Sequence, residues 1–195
     1  MNFRCWIKKL LGTAPEKKGN SAPSTYAKAM ADLQGDVIMA ELENGSYIVD
    51  ELFMRVFGHP APTHGHHIVT FCRLDDGSYR VANYLNYWVK DGACYIGGAV
   101  TDKDLIKNKI NKNLLTKIGE HGGLYPLSIM YMIEHHLGTV SAIFGHTSVS
   151  RALEVILGLG FIATGEPYLY VKWAPYVSKR NKKSLLAQAI EIGAF

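Results

Sequence analysis

Apolar and polar residues alternate with the period of a β-strand through the middle of the chain. The alternation forms three runs, His67 to Leu74, Ser78 to Lys90 and Ala93 to Thr101. Two turns separate them, Asp75 to Gly77 and Asp91 with Gly92. Short turns rich in Asp and Gly join neighbouring antiparallel strands. We therefore predict an antiparallel three-strand meander, with a bulge or bend near Leu85, where the phase of the alternation changes.

Helical spacing follows the meander. An apolar residue recurs every four positions at Ile106, Ile110, Leu114 and Ile118, and lysines occupy the other face. Asp102 or Asp104 is placed to cap the start of this helix, and Gly119 to end it. The spacing predicts one amphipathic helix across the whole stretch.

Glycine, proline and capping residues then divide the chain into a helix, a strand, a second helix and a strand pair. The first helix has Pro126 in its first turn and Gly138 at its C′ position, and a strand from Thr139 to Phe144 follows it. The second helix is capped by Ser148 and runs to about Leu157. The strand pair lies around Ile162 and from Tyr168 to Trp173.

Before the meander, Thr25 to Leu33 and Ser46 to Phe57 have helical spacing, and Asp36 to Leu42 fits either a strand or a helix. A chain of 195 residues favours a single core. We therefore predict one α/β domain over residues 25–178, followed by a basic helical tail over residues 179–195.

The first 24 residues have a different pattern. Apolar residues, among them Trp6 and Leu10, fall on one side of a short helix, and Arg4 with two lysines falls on the other. A linker of proline, glycine and polar residues follows. A helix this short is marginal alone in water, so we expect it to dock on its own domain, a membrane surface or a partner protein.

Charge and cysteine content narrow the function. The formal net charge is +4, with basic residues concentrated between Lys103 and Lys117 and between Lys179 and Lys183. These stretches are solvated faces or sites for a phosphorylated cofactor, a nucleic acid or a membrane. The three cysteines have no CxxC spacing, so neither a disulfide framework nor a cysteine zinc site is indicated. A reducing, cytoplasmic location is expected, because lysines interrupt any apolar leader.

One stretch resembles a known family. Val140 to Phe161, VSAIFGHTSVSRALEVILGLGF, is similar to a strand, a polar cap, a helix and a closing Leu-Gly-Phe of the GNAT superfamily of acyl-CoA-dependent N-acyltransferases. The element order from about His66 to Trp173 fits the same family. The resemblance implies a mixed, largely antiparallel sheet flanked by helices. The third meander strand should lie parallel to the strand from Thr139 to Phe144.

The resemblance also implies a co-substrate, acyl-CoA and in particular acetyl-CoA, with an amine as acceptor and no metal. Two parallel strands that splay apart can hold a pantetheine arm, and glycines before a helix can hold its pyrophosphate. The implied contacts are Val100, Thr101, Gly122, Gly123, Leu124 and Ser148. The glycine loop departs from the family, because no Arg or Gln leads it and about twenty extra residues precede it.

Acyl transfer to an amine needs a base and a proton donor for the departing thiolate. His146 is the candidate base, because it follows the strand that should border the acyl group and titrates near neutrality when unperturbed. The tyrosine that the family often uses as acid falls at Ile156 here. Tyr168, or its neighbour Tyr170, is the candidate substitute, although core packing is the alternative role for both.

Other functions remain open. A GNAT-like module that binds without catalysing transfer is the main alternative. Nucleic-acid binding by the basic stretches is less favoured, because no recognition motif accompanies them. The histidines at positions 59, 64, 66 and 67 could suggest a metal, but a solvated loop explains them better, since their spacing matches no metal motif.

Overall fold

The computed structural model describes residues 25–195, so the predicted N-terminal amphipathic helix and its linker lie outside the described residues. Seven strands form one sheet in the order β1-β2-β3-β4-β5-β7-β6. The strands are β1 Val37–Leu42, β2 His66–Arg73, β3 Tyr79–Lys90, β4 Ala93–Thr101, β5 Ala142–His146, β6 Ile162–Ala163 and β7 Leu169–Trp173.

Helices cover both faces of this sheet. They are α1 Thr25–Asp32, α2 Ser46–Phe57, α3 Lys103–Lys109, α4 Lys112–Glu120, α5 Leu124–His136, α6 Ser150–Gly158 and α7 Lys179–Ile192. None of these helices is long and apolar enough to cross a membrane.

The predicted fold class is confirmed. Strands β2, β3 and β4 form an antiparallel meander, and β4 pairs in parallel with β5, as expected. The stretch that fitted either a strand or a helix is β1, which joins the meander antiparallel to β2. Strand β7 returns antiparallel to β5. The sheet is therefore mixed and largely antiparallel.

Alternation along the strands sends neighbouring side chains into different cores. Leu85 and Ile96 pack with α1, α4, α5 and α6 on one face. Tyr84 packs with α2 on the other face, and Tyr95 packs there with α7. Each of these four side chains is at least 95% buried. We call the two faces the α5 face and the α2 face.

The single helix predicted around Ile106 to Ile118 is wrong, because the chain breaks into α3 and α4. Asp102 caps α3, accepting a hydrogen bond from the Leu105 N–H at 3.0 Å. Ile110 is then extended, at φ −99° and ψ 133°. Asn111 starts a new helix by accepting from the Leu114 N–H at 2.8 Å. An Asn side chain stabilises such a start strongly, and the apolar spacing does not reveal it.

Ser148 does not cap the helix after β5. Helix α6 begins at Ser150, its N-cap is Val149, and no side chain caps it. The Thr147 hydroxyl instead accepts from the Val149 N–H at 3.1 Å, in a local turn. Strand β5 also begins and ends later than predicted, so the strand-to-helix turn moves along the chain.

A bulge lies in the sheet near the predicted position. Leu85 pairs with Ala99 and Tyr87 with Ile96, so Asn86 alone faces both Gly97 and Gly98. The extra residue of this bulge belongs to β4, and β3 carries an extra residue of its own at Ala82, where it pairs with β2. A bulge bends the strand that carries it. This bend lies where β4 leaves β5.

Candidate active-site cleft

A cleft opens where β4 and β5 stop pairing. The two strands pair over four residues only, from Ala93 with Ala142 to Ile96 with Gly145. Beyond Ile96, β4 continues to Thr101 along the side of an open wedge of about 510 Å³. Its backbone groups on that side have no partner in β5. The wedge therefore offers a free strand edge inside a cavity.

The interior of the cleft is mainly apolar. Ile96 and Ala99 of β4 line it together with Ala152 and Ile156 of α6. Gly145 adds no side chain at the closed end, where a Cβ would make an ordinary contact of 3.7 Å with the Ile96 side chain. Such walls suit an unbranched, weakly polar chain.

Two further helices complete the walls. Tyr125, in the first turn of α5, lines the cleft, and burial raises the pKa of its hydroxyl to about 12. Val56 and Phe57, at the end of α2, line the other side and are about half exposed. Arg55 of α2 holds this end in place through a contact of 2.6 Å with Asp102, just after β4.

Two cations lie among the lining residues. Lys103 is the first residue of α3 and Arg151 is the second residue of α6. Arg151 contacts Glu154 at 2.9 Å, with both side chains more than 60% exposed. An ion pair this exposed is weak. Both cations are therefore available to an anionic ligand.

The structure brings some predicted site residues together and separates others. Val100, Thr101 and His146 line the cleft. Thr101 Oγ1 also lies 2.6 Å from the side-chain amide of Asn83. The other four predicted contacts with acyl-CoA are not among the lining residues: Gly122, Gly123, Leu124 and Ser148. Leu124 is instead a core residue, 2% exposed.

His146 lies at the end of the cleft, and Tyr168 is its neighbour but is not among the lining residues. Their ring centroids lie 6.2 Å apart, and the Phe195 ring lies 5.9 Å from His146 on another side. Neither nitrogen of His146 hydrogen-bonds to a residue of the described chain. Packing between two rings orients this imidazole and leaves its nitrogens available.

Tyr168 is not a core residue. Its side chain is 54% exposed, and its backbone has a φ of 63°, in the left-handed region. A non-glycine residue in that region carries local strain, which is common at functional sites. Tyr170, the alternative candidate, is half-buried and pairs with Gly145 within the sheet.

Ile156 stands where the family usually has its tyrosine, and it lines the cleft as an apolar residue that is 1% exposed. The sequence had already indicated this substitution. It did not reveal Lys103, Arg151 and Tyr125 as lining residues, because three separate elements bring them to the cleft. The only features of these residues in the sequence that could indicate a binding role are the positive charges of Lys103 and Arg151 and the amphipathic ring of Tyr125.

The histidines before and within β2 do not converge. His66 faces the α5 side, where its Nδ1 lies 3.0 Å from Glu41, whereas His67 faces the α2 side, where its Nδ1 lies 2.7 Å from the Tyr84 hydroxyl. Within residues 25–195, no group of three or more His, Cys, Asp or Glu side chains is arranged to hold a metal ion.

Comparisons with known proteins add fold likenesses. No protein-family model matches the sequence, and no curated protein matches it either. The ribosomal-protein-S18-alanine N-acetyltransferase from Escherichia coli is 11% identical with a TM-score of 0.49; the alignment covers 73% of this chain and 97% of that one. A GNAT-family acetyltransferase from Bacillus anthracis is 10% identical with a TM-score of 0.39, over 71% and 95%.

A third similar structure contains a ligand. It is an Escherichia coli protein described as an N-acetyltransferase and bound to coenzyme A, and it is 10% identical with a TM-score of 0.45, over 70% of this chain and 98% of that one. The two strands that splay apart and the cleft between them are the features of the present chain that the GNAT resemblance of the sequence implied.

Proposed function

We propose that the chain is an N-acyltransferase that moves an acyl group, in the first place acetyl, from acyl-CoA to an amine. One observation carries the proposal, which is the open wedge between β4 and β5. A parallel pair that stops after four residues leaves β4 with an unpaired edge facing a cavity. The residues beyond that point are the ones to which we assign the co-substrate.

The pantetheine arm suits this wedge. Its two amides can pair with the free edge of β4 between Gly97 and Thr101, as an added strand does. Its methylene groups can pack on the apolar walls formed by Ala99, Ala152 and Ile156. The thioester then lies at the closed end, between Ile96 and Gly145.

The phosphates of the cofactor belong at the open end. Lys103 and Arg151 supply charge there, and the first turn of α6 has no side-chain cap. Helix N-termini favour anions. Gly122 and Gly123 precede α5 and adjoin Tyr125, so they stay predicted contacts for phosphates that extend past the cleft mouth.

Chemistry follows from His146 and Tyr168. His146 takes a proton from the acceptor amine, whose nitrogen attacks the thioester carbonyl and forms the C–N bond. The C–S bond then breaks, and the thiolate takes a proton from the Tyr168 hydroxyl or from water. The exposed position of Tyr168 allows it to regain that proton from solvent. The products are an amide and coenzyme A.

The alternative is a module that binds acyl-CoA without transferring the acyl group. Ile156 favours this alternative, because no hydroxyl stands at the position where the family usually has a tyrosine. The two functions differ in turnover and share the cleft.

Calorimetric titration with acetyl-CoA and longer acyl-CoAs tests the proposal. The wild type should bind, and Ala152→Trp should lose most affinity because the indole fills the cleft. Leu157→Trp is the matched control, since Leu157 lies on the same helix, is 46% exposed and does not line the cleft. Absence of binding to any acyl-CoA by the wild type, or equal losses in both variants, would remove the proposal.

A further inference from the structure

A buried chain of polar side chains crosses the α5 face and ends at the cleft. It joins Thr70 of β2, Ser128 of α5 and Asn83 of β3 to Thr101 at the end of β4. The first three side chains are fully buried, and Thr101 lines the cleft. Buried polar groups are satisfied by one another when water is excluded, so each hydrogen in this chain has a partner that can be assigned.

Two backbone groups fix the orientation of the Asn83 side-chain amide. The Val100 carbonyl oxygen lies 3.3 Å from one end of the amide and can only accept, whereas the Tyr84 N–H lies 3.1 Å from the other end and can only donate. The amide nitrogen must therefore face Val100, and the amide oxygen must face Tyr84. The opposite orientation would set two oxygens, and two N–H groups, against each other.

This orientation decides how the hydroxyl groups at the two ends of the amide are used. Ser128 Oγ, at 2.8 Å, donates to the Asn83 oxygen, so it accepts from the Thr70 hydroxyl at 3.3 Å. Thr101 Oγ1, at 2.6 Å, accepts from the Asn83 nitrogen. A hydroxyl group has a single hydrogen to donate. That of Thr101 is not used by Asn83, and Thr101 Oγ1 makes no other hydrogen bond within residues 25–195.

The position of Thr101 along β4 indicates which part of a ligand this hydrogen meets. Thr101 lies between Ile96, where we place the thioester, and Lys103, to which we assign the phosphates. In the cofactor arm, the pantoyl group holds the same intermediate place between the thioester and the phosphates. Its carbonyl and hydroxyl oxygens can both accept a hydrogen bond. The order of groups along the strand therefore matches the order along the arm.

We propose that Thr101 is a specificity-determining residue that donates its hydroxyl hydrogen to an oxygen of the pantoyl group, and that Asn83 is the positioning residue that keeps this hydrogen directed into the cleft. This inference rests on the proposed function, because it assigns one contact of the same co-substrate. Backbone pairing along β4 would suit any extended chain of amides. The Thr101 hydroxyl adds a contact that depends on the pantoyl oxygens.

Thr101→Val keeps the shape of the side chain and removes the hydroxyl group. Calorimetry should show a loss of about fivefold to tenfold in the affinity for acetyl-CoA, the scale of one hydrogen bond. Thr101→Ser keeps a hydroxyl group and should stay within about twofold of wild type. Thr116→Val is the matched control, since the Thr116 hydroxyl donates to the Lys112 carbonyl oxygen of its own helix at 2.9 Å and does not line the cleft.

Two shorter ligands locate the contact. S-acetylpantetheine lacks the phosphates and keeps the pantoyl group, whereas S-acetyl-N-acetylcysteamine lacks both. Titration of nitrogen-15-labelled protein should show that Thr101→Val binds the first more weakly than wild type does and binds the second equally well. A loss confined to acetyl-CoA would assign the hydroxyl to a phosphate, and a loss with all three ligands would show that the substitution distorts the cleft. Either result overturns the inference.

Asn83→Asp tests the positioning role. An ionised carboxylate only accepts, so the Thr101 hydroxyl would donate to it and turn its hydrogen away from the cleft. At about pH 9, where even a buried carboxyl group largely ionises, the affinity for coenzyme A should fall as it does in Thr101→Val. The same change in the Thr101→Val background should alter the affinity by less than about twofold. Losses that add in the double variant would mean that Asn83 acts through packing.

A measurement on the wild type decides the orientation if Asn83→Asp does not fold. Nuclear Overhauser contacts from the Asn83 side-chain amide hydrogens should reach Thr101, and contacts to Ser128 in their place would overturn the inference. An undiminished acetyl-CoA affinity in a folded Thr101→Val would also overturn it and leave the proposed function standing. Failure of the wild type to bind acetyl-CoA is a separate result, and it counts against the proposed function.

Discussion

His146 shows how a single residue acquires a possible role from its surroundings. It ends β5 and lines the cleft, and its ring lies between the rings of Tyr168 and Phe195. Many histidine bases are oriented by a hydrogen bond to a carboxylate or a carbonyl. Ring packing takes that place here, and no hydrogen bond within residues 25–195 occupies either nitrogen.

We predict that His146→Ala keeps acyl-CoA affinity and loses on the order of 100-fold or more in turnover, the scale of a general base. The wild-type rate should rise with pH as the His146 imidazole loses its proton and becomes able to act as a base. The variant should lack that limb. Turnover assays across pH check this, with His135→Ala as control, since His135 lies on α5 and stacks on Tyr131 away from the cleft. An unchanged pH profile in the folded His146→Ala would leave His146 with a structural role only.

The sequence alone predicts the position of a residue when that position depends on a single strand or helix. His146 follows an apolar strand, and it lies at the end of β5 as expected. Tyr168 is different, because its exposure depends on a left-handed turn before β7 that the alternation of apolar residues does not reveal. The need for glycine at position 97 depends on Asn86 and Trp88 of the neighbouring strand, which pack directly on it, so it follows from register and not from the order of residues.

At the scale of elements, one polar cluster joins three strands and a helix on the α5 face. Glu41 of β1 lies 2.5 Å from the Tyr87 hydroxyl, 3.0 Å from His66 and 3.1 Å from His136 of α5. Burial opposes ionisation of the carboxyl group, but hydrogen bonds from His136 and Tyr87 outweigh it. They lower the pKa of Glu41 to about 2.

This pKa has a consequence for stability. A carboxyl group with a folded pKa of about 2 and an ordinary value of 4.5 stabilises the fold above pH 4.5 and loses that effect as the pH falls toward 2. Glu41→Gln should therefore lower the free energy of unfolding at pH 7 by on the order of 2 kcal/mol. The difference from wild type should shrink as the pH falls below about 4.5.

Urea unfolding at several pH values measures this difference. The control is Glu154→Gln, in an exposed pair with Arg151, which should cost no more than about 0.5 kcal/mol. A Glu41→Gln effect that does not change with pH would show that the cluster stabilises by packing and not by charge.

Helices and strands were predictable where the spacing of apolar residues agrees with the positions of turn and capping residues. The meander has both alternation and turn residues, and the structure confirms it. The helix predicted through Ile110 has the right spacing, but one helix ends at the extended Ile110 and Asn111 starts another. The spacing of apolar residues indicates which face of a helix is buried, but it does not show whether the helix is continuous. For the same reason the change of phase near Leu85 indicates a bulge without showing that β4 carries it.

At the scale of the molecule, the cleft results from three features that act together. The Gly97 and Gly98 bulge bends β4, the short β5 ends one residue after its last pair with β4, and α6 begins beyond a turn. The family resemblance predicted an opening between these strands. It did not predict the cation on α3, because the extra helices after β4 are a departure from the family pattern.

Hydrogen exchange with and without acetyl-CoA tests most directly whether the cofactor lies along the edge of β4. Pairing with the pantetheine amides should slow exchange in residues 97–101, and Ala152→Trp should abolish the effect. Peptides from β2 and from the start of β3, which pairs with β2 and not with β4, serve as internal controls, and their exchange rates should not change. Acetyl-CoA binding with slower exchange at residues 97–101 is the result that we predict. Binding that protects other segments and leaves residues 97–101 unchanged would contradict the assignment of the wedge as the acyl-CoA site.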